Sequence, residues 1–215
     1  TKHLVGRSGV LISVEVDHRA LSILKEQYGT QVECIHANIL NVSLDHLRRK
    51  YGKRIRIVGN IPYNLTSEIL FWLFDASEAV RDAALMMQLE VARRLIARAR
   101  TKEYGILSVF TQFYAHPEIL FRVSPYCFYP RPAVFSAFVR LSMKALLPEH
   151  NNGMFRNVVR STFGKRRKTL SNGLRYMGMS DSQLKTVEFD FKKRPEELKV
   201  DEFLELTRKL EKFEG

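Results

Sequence analysis

Apolar residues follow two rhythms along the first two thirds of the chain, and the switches between them predict alternating strands and helices. A helix-like segment starts close to Thr1, and Val10-Leu11-Ile12-Ser13-Val14-Glu15-Val16-Asp17 then forms a hydrophobic run closing on acids, as a buried parallel strand reads. His18 to Tyr28 has helical spacing, Gln31-Val32-Glu33-Cys34-Ile35-His36 reads as a short strand, and Leu44 to Tyr51 as a basic helix. Ile55-Arg56-Ile57-Val58 is apolar and largely β-branched, whereas Leu65 to Phe74 returns to helical spacing after Thr66-Ser67. A buried strand at Ala83 to Leu89, a helix from Glu90 to Arg100, an apolar element from Tyr104 and strands at Ile119 to Val123 and Ser136 to Leu141 complete the pattern. This order predicts a doubly wound α/β sheet that binds its ligands beyond the carboxyl ends of the strands. Glu15, Asn38 and Asn60 fall at such ends.

After about Ala145 the strand signals stop. Leu146-Leu147-Pro148 and Asn151-Asn152-Gly153 punctuate the change, predicting an α/β domain over 1–145 and a small all-α domain over 146–215. The latter ends in an amphipathic helix, Glu202 to Phe213, with Asp201 as its cap.

The densest chemistry lies in Val58-Gly59-Asn60-Ile61-Pro62-Tyr63-Asn64, a strand-to-helix turn. Asn60 has an amide that donates and accepts, Pro62 fixes φ and offers its carbonyl, and Tyr63 supplies a flat ring with a polar tip. The set suits a planar ring bearing an amino group. The lone pair of such an amine is delocalised, so acceptors at Asn60 Oδ1 and the Pro62 carbonyl would favour its pyramidal, attacking geometry while Tyr63 stacks on the ring. The same residues also suit a plain Asx-type turn with Tyr63 as a core lid. At Glu15 and Asp17 the choice is between a carboxylate for ribose hydroxyls and a helix N-cap at Asp17. Tyr126, Phe128 and Tyr129, stiffened by Pro125, Pro130 and Pro132, read either as one aromatic wall for a base opposite Tyr63 or as a crossover loop plugging the sheet edge.

Charge narrows the choice of partner. The 215 residues carry 35 Lys and Arg against 23 Asp and Glu, a net +12 that favours a polyanion, nucleic acid first. Lys165-Arg166-Arg167-Lys168, flanked by Phe163 and Leu170, is the densest cationic run and a candidate phosphate contact, although a solvated turn has the same composition. Two cysteines, Cys34 and Cys127, and six unpaired histidines give neither a disulfide framework nor a metal-ligand pattern. With no long apolar run or signal-like start, the expectation is a cytoplasmic protein without metal or membrane association.

These motifs together resemble the ribosomal RNA adenine N6,N6-dimethyltransferases. The resemblance rests on Val14-Glu15-Val16-Asp17, Gly59-Asn60-Ile61-Pro62-Tyr63-Asn64, Gln88-Leu89-Glu90-Val91, Tyr104-Gly105-Ile106-Leu107-Ser108-Val109, Phe128-Tyr129-Pro130-Arg131-Pro132 and Phe163-Gly164-Lys165-Arg166-Arg167-Lys168-Thr169-Leu170. It implies a Rossmann-like class I methyltransferase sheet with helices on both faces, a small C-terminal all-α domain that binds RNA, and S-adenosylmethionine as cofactor. It further implies N6,N6-dimethylation of two adjacent adenines near the 3′ end of small-subunit rRNA during ribosome biogenesis, by a monomer acting on an immature 30S particle. By the same resemblance, Glu15, Asn38 and Asn60 contact the cofactor, Asn60, Pro62, Tyr63 and Phe128 form the catalytic pocket, and Lys165, Arg166, Arg167 and Lys168 bind RNA. The family's glycine-rich cofactor loop and first strand are expected to precede Thr1. Asn38 stands where the family usually has Asp, and Ala133 and Phe135 where Lys and Asp are more familiar. Two alternatives share the fold: a non-catalytic RNA-binding ribosome-assembly factor, and a large-subunit rRNA adenine N6-methyltransferase.

Overall fold

The structure, a computed structural model, describes residues 1–164 and 168–213. It separates into two compact units, Thr1–Lys53 and Arg54–Gly215.

In the first unit, β1 (Ile12–Glu15) runs parallel to β2 (Glu33–His36), in register from Ile12 opposite Glu33 to Glu15 opposite His36. Helix α1 (His18–Tyr28) joins them, and Asp17 caps it by accepting the Arg19 N–H at 2.8 Å. The cap reading of Asp17 is thus the structural one. Helix α2 (Leu44–Tyr51) starts at Ser43, whose Oγ accepts the His46 N–H. It returns Lys50 and Tyr51 to Glu33, and these two donors, Lys50 foremost, hold the Glu33 carboxyl below its ordinary range. The helix-like start of the chain forms turns instead, for few apolar positions there find a face to cover.

The second unit is built on a four-stranded sheet in the order β3 (Ile55–Asn60), β4 (Val80–Gln88), β6 (Ser136–Met143), β5 (Ala115–Val123). Strands β3 and β4 are parallel, while β6 runs antiparallel to both β4 and β5. Val80, Ala83, Leu85 and Met87 of β4 are fully buried, as are Leu70 and Leu73 of α3 (Thr66–Asp75). Phe74 of α3 stacks on Tyr114 of α5 (Ile106–Tyr114) at 5.1 Å between centroids. Between them in sequence, α4 spans only Leu89–Leu95, short of the expected Arg100. The Gln112 amide donates to the Leu95 and Ala97 carbonyls, which turns the chain away from helix.

Past β6 the described residues are helical or irregular: α6 (Asn152–Gly164), α7 (Leu170–Tyr176), α8 (Asp181–Lys185) and α9 (Val200–Glu211). They belong to the same compact unit as the sheet. Phe155 of α6 meets Phe110 and Phe113 of α5 with centroids 5.6 and 4.7 Å away. A Cβ on Gly173 would lie 2.5 Å from Thr162 Cα, so α7 crosses α6 at a distance only glycine permits. The last helix begins one residue before the expected cap. Its N-cap is Lys199, whose N–H is accepted by the Glu202 carboxylate, and Asp201 sits in the first turn, where its charge favours the helix dipole.

Candidate active site

Each unit gathers part of the candidate residues at strand ends. In the first, Glu15 closes β1 exposed to solvent, and Asn38 follows β2 by two residues. Asp17 Oδ1 is engaged in capping α1, whereas Glu15 is an exposed carboxylate at this edge with no capping role. Asn38 Oδ1 accepts the Leu40 N–H at 3.0 Å and caps the short turn Ile39–Asn41. That leaves its second lone pair and two amide N–H donors for a ligand, where Asp in the same pose would present a second carboxylate oxygen. At the same edge the His18 and His36 rings lie 3.6 Å apart, and His36 Nε2 is 3.1 Å from the Val16 carbonyl.

In the second unit, β3 ends at Asn60, Ile61 turns into the core, and the chain passes through Tyr63–Leu65 into α3. The turn is closed by its own backbone. Leu65 N–H donates to the Pro62 carbonyl at 3.0 Å and Thr66 Oγ1 to the Tyr63 carbonyl at 3.0 Å. The Pro62 carbonyl, expected to be free, therefore has one lone pair occupied and one remaining. The two readings of the turn each hold in part: it is a capped strand-to-helix turn, and its exposed side is a pocket. An open cavity of about 340 Å³ is lined by Asn60, Ile61, Pro62 and Tyr63 together with Phe128, Pro130 and Pro132. That volume falls within the roughly 300–1,000 Å³ of small-ligand sites. The structure so brings together Asn60, Pro62, Tyr63 and Phe128. Tyr126 and Tyr129 are not in its lining, so the three rings do not form the one wall that was one of the two readings of this loop.

Sequence reasoning missed Ser136. Its Oγ lies 2.6 Å from the Tyr63 hydroxyl, and the serine is fully buried as the first residue of β6. The only signal was a small polar residue heading an apolar strand behind the proline-rich loop. The hydrogen bond holds the Tyr63 ring from a point 73 residues along the chain. Replacing Tyr63 with Phe is expected to cost about 1 kcal/mol of stability, and Ser136→Ala a similar amount. The double variant should cost less than the sum, since either single change already breaks the bond. Urea unfolding of the set measures this, and strict additivity would show that the two hydroxyls do not act as a pair.

Lys165, Arg166 and Arg167 lie outside the described residues, and Lys168 is exposed. Among the described residues there is no group of three or more His, Cys, Asp or Glu able to hold a metal ion. None of the described helices is long and apolar enough to cross a membrane.

The model of the ribosomal RNA adenine dimethylase family matches residues 1–212. The chain belongs to this family. It is 40% identical over 199 residues to ribosomal RNA small subunit methyltransferase A of Chlorobium phaeobacteroides, covering 92% of this chain and 73% of that protein. Among solved structures, a dimethyladenosine transferase from Plasmodium falciparum superposes with a TM-score of 0.81 at 22% identity, covering 98% of this chain and 85% of that one. The 23S rRNA methyltransferase ErmE follows at 0.67 and 24% identity, covering 97% and 85%. These two likenesses establish the fold as that of the class I methyltransferases, with the turn at Asn60 at the carboxyl end of a parallel strand, where such folds bind their ligands.

Proposed function

We propose that the chain is an S-adenosylmethionine-dependent rRNA adenine N6,N6-dimethyltransferase that modifies two adjacent adenines near the 3′ end of small-subunit rRNA. The observation that carries this reading is the pocket formed by Asn60, Pro62, Tyr63 and Phe128, in a chain of this family. Glu15 would hold the cofactor's ribose and Asn38 its base, with Asn60 between cofactor and substrate roles; an exposed carboxylate and an amide at neighbouring strand ends suit those groups chemically. S-adenosylmethionine, when bound, supplies a methyl group on a sulfonium sulfur for in-line transfer to the adenine N6.

The chain's own residues orient the amine. Asn60 Oδ1 accepts one N6–H and the remaining lone pair of the Pro62 carbonyl accepts the other, which draws the nitrogen lone pair out of conjugation with the ring. Tyr63, fixed by Ser136, and Phe128 hold the ring between them. Among the described residues the pocket is lined by an amide, prolines and aromatic rings, groups suited to positioning the amine. The excess proton leaves the methylated nitrogen, which is far more acidic than the neutral amine, to water. After the first transfer one N–H remains, and the open pocket leaves room for the methyl that replaces the other.

The helical region from 146 onward, with Lys165, Arg166, Arg167 and Lys168, would bind rRNA in an immature 30S particle, and the protein would work as a cytoplasmic monomer. Replacing these four cations with Ala is expected to weaken RNA binding and to lower the slope of log K against log salt by about 0.7 for each single-stranded phosphate that is no longer neutralised. Filter binding across a salt series reads both, and an unchanged slope would remove the four from the interface. The reaction is tested by supplying labelled S-adenosylmethionine and small-subunit rRNA or immature 30S particles, then mapping the modified nucleotides by primer extension. Two adjacent modified adenines in the small subunit support the proposal. Label in large-subunit rRNA, or RNA binding without any methyl transfer, would refute it.

A further inference from the structure

Beside the pocket stands a second aromatic surface to which the proposed reaction gives no role. Tyr129 is wholly exposed, at 102% of its reference area, and Tyr126 is 77% exposed. Exposure of large rings is common one at a time, but these two flank the pocket residue Phe128 on a stiffened loop. The short turn Pro125–Cys127 is closed by Cys127 N–H on the Ser124 carbonyl at 3.0 Å and Phe128 N–H on the Pro125 carbonyl at 3.2 Å. Ser124 Oγ accepts the Tyr126 N–H, Pro125 is buried, and Pro130 and Pro132 fix the backbone beyond. The Arg131 guanidinium lies over the Tyr126 ring, 3.7 Å from its centroid. An exposed ring covered by a cation is a surface suited to nucleobases, because base, ring and guanidinium stack interchangeably and the cation also meets phosphate.

The loop alternates its side chains. Phe128, Pro130 and Pro132 line the cavity, whereas Tyr129 and Arg131, the residues between them, are outside its lining. Phe128 and Tyr129 are consecutive, so a wholly exposed ring stands one residue from the ring that lines the cavity.

We propose that Tyr129, with the Tyr126–Arg131 pair, is a second base-stacking platform that holds the nucleotide adjacent to the adenine in the pocket. The ligand class is single-stranded RNA, favoured over a protein partner by the net charge of +12, the Arg131 cation on the platform and its continuity with the cavity. This rests on the proposed function and deepens it: with two adjacent target adenines, one occupies the pocket while the other stacks outside, and the two then exchange places.

Fluorescence anisotropy with labelled single-stranded octaribonucleotides tests it on the whole chain. One oligonucleotide carries two adjacent adenines within uridines; in two others the 5′ or the 3′ adenine is an abasic site. The unchanged protein should lose about five-fold or more in affinity on one of the abasic oligonucleotides. Tyr129→Ala should bind intact RNA as weakly as that and no longer discriminate, and Tyr129→Trp should restore discrimination. Because Tyr129 is fully exposed, circular dichroism of the variants should match the parent. Discrimination that survives in Tyr129→Ala, or is absent from the parent, overturns the platform and leaves the exposed rings as a protein-docking surface. Tyr63→Ala separates the two levels: if the pocket reading fails, this variant binds the intact oligonucleotide as tightly as the parent, whereas failure of the platform alone leaves its loss of affinity in place.

Discussion

Replacing Asn60 with Ala is expected to lower kcat by about 10²–10³-fold while leaving RNA affinity nearly unchanged. The physical reason is specific to an aryl amine. Its lone pair is shared with the ring, and it becomes nucleophilic only as its two N–H bonds bend out of plane. Asn60 ends β3 and lines the same cavity as Pro62, so the fold brings its amide to the pocket that also holds the Pro62 carbonyl. Its loss leaves the Pro62 carbonyl alone, and that carbonyl already has one lone pair on the Leu65 N–H. Asn60→Asp retains acceptor oxygens and should fall between Ala and the parent. Transfer of label from S-adenosylmethionine to rRNA gives kcat, and filter binding gives affinity. A variant with full turnover, or one whose deficit lies wholly in RNA binding, would count against Asn60 as the group that orients the amine.

Phe155→Ala should cost about 3–5 kcal/mol of stability, the range for truncating a buried phenylalanine. Phe155 is fully buried on α6, and its ring is tied to Phe110 and Phe113 of α5, which are themselves buried. The sequence predicts a boundary near 145, between an α/β domain and a helical one. Phe155 sits just beyond that boundary and packs against a helix before it. If the residues of the second unit fold cooperatively, the whole transition moves to lower denaturant. The chain's single tryptophan, Trp72 on α3, reports one side of the boundary by fluorescence, while far-ultraviolet circular dichroism follows all helices. Coincident transitions are the expected result. Loss of helicity ahead of an unmoved Trp72 signal would mean that the C-terminal helices fold on their own.

The elements legible from periodicity are those whose cause is local. His18–Tyr28 and Leu44–Tyr51 form the helices their spacing predicts, with Asp17 and Ser43 as caps, because capping and amphipathic spacing are encoded within a few residues. Elements whose ends depend on distant or unusual partners are less legible. Helix α4 stops at Leu95, where Gln112 donates to the carbonyls of Leu95 and Ala97. The last helix starts at Val200, where the Glu202 carboxylate accepts the N–H of Lys199, a lysine that no propensity would place at an N-cap.

At the site, residue types alone make the turn from Asn60 to Tyr63 suit a planar amine but equally a plain turn, and it is the structure that brings Phe128 to the same cavity as Asn60, Pro62 and Tyr63. Net charge points to a polyanion without any structure. Three things needed the tertiary structure. One is the buried Ser136 hydroxyl that holds Tyr63, which depends on an interaction across 73 residues. Another is the state of the Pro62 carbonyl, half-used by Leu65. The third is the division of one aromatic loop into Phe128 inside the pocket and Tyr126 and Tyr129 outside it. Composition assigns the same character to all three rings; only the path of the backbone between the prolines decides which of them lines the cavity and which face solvent.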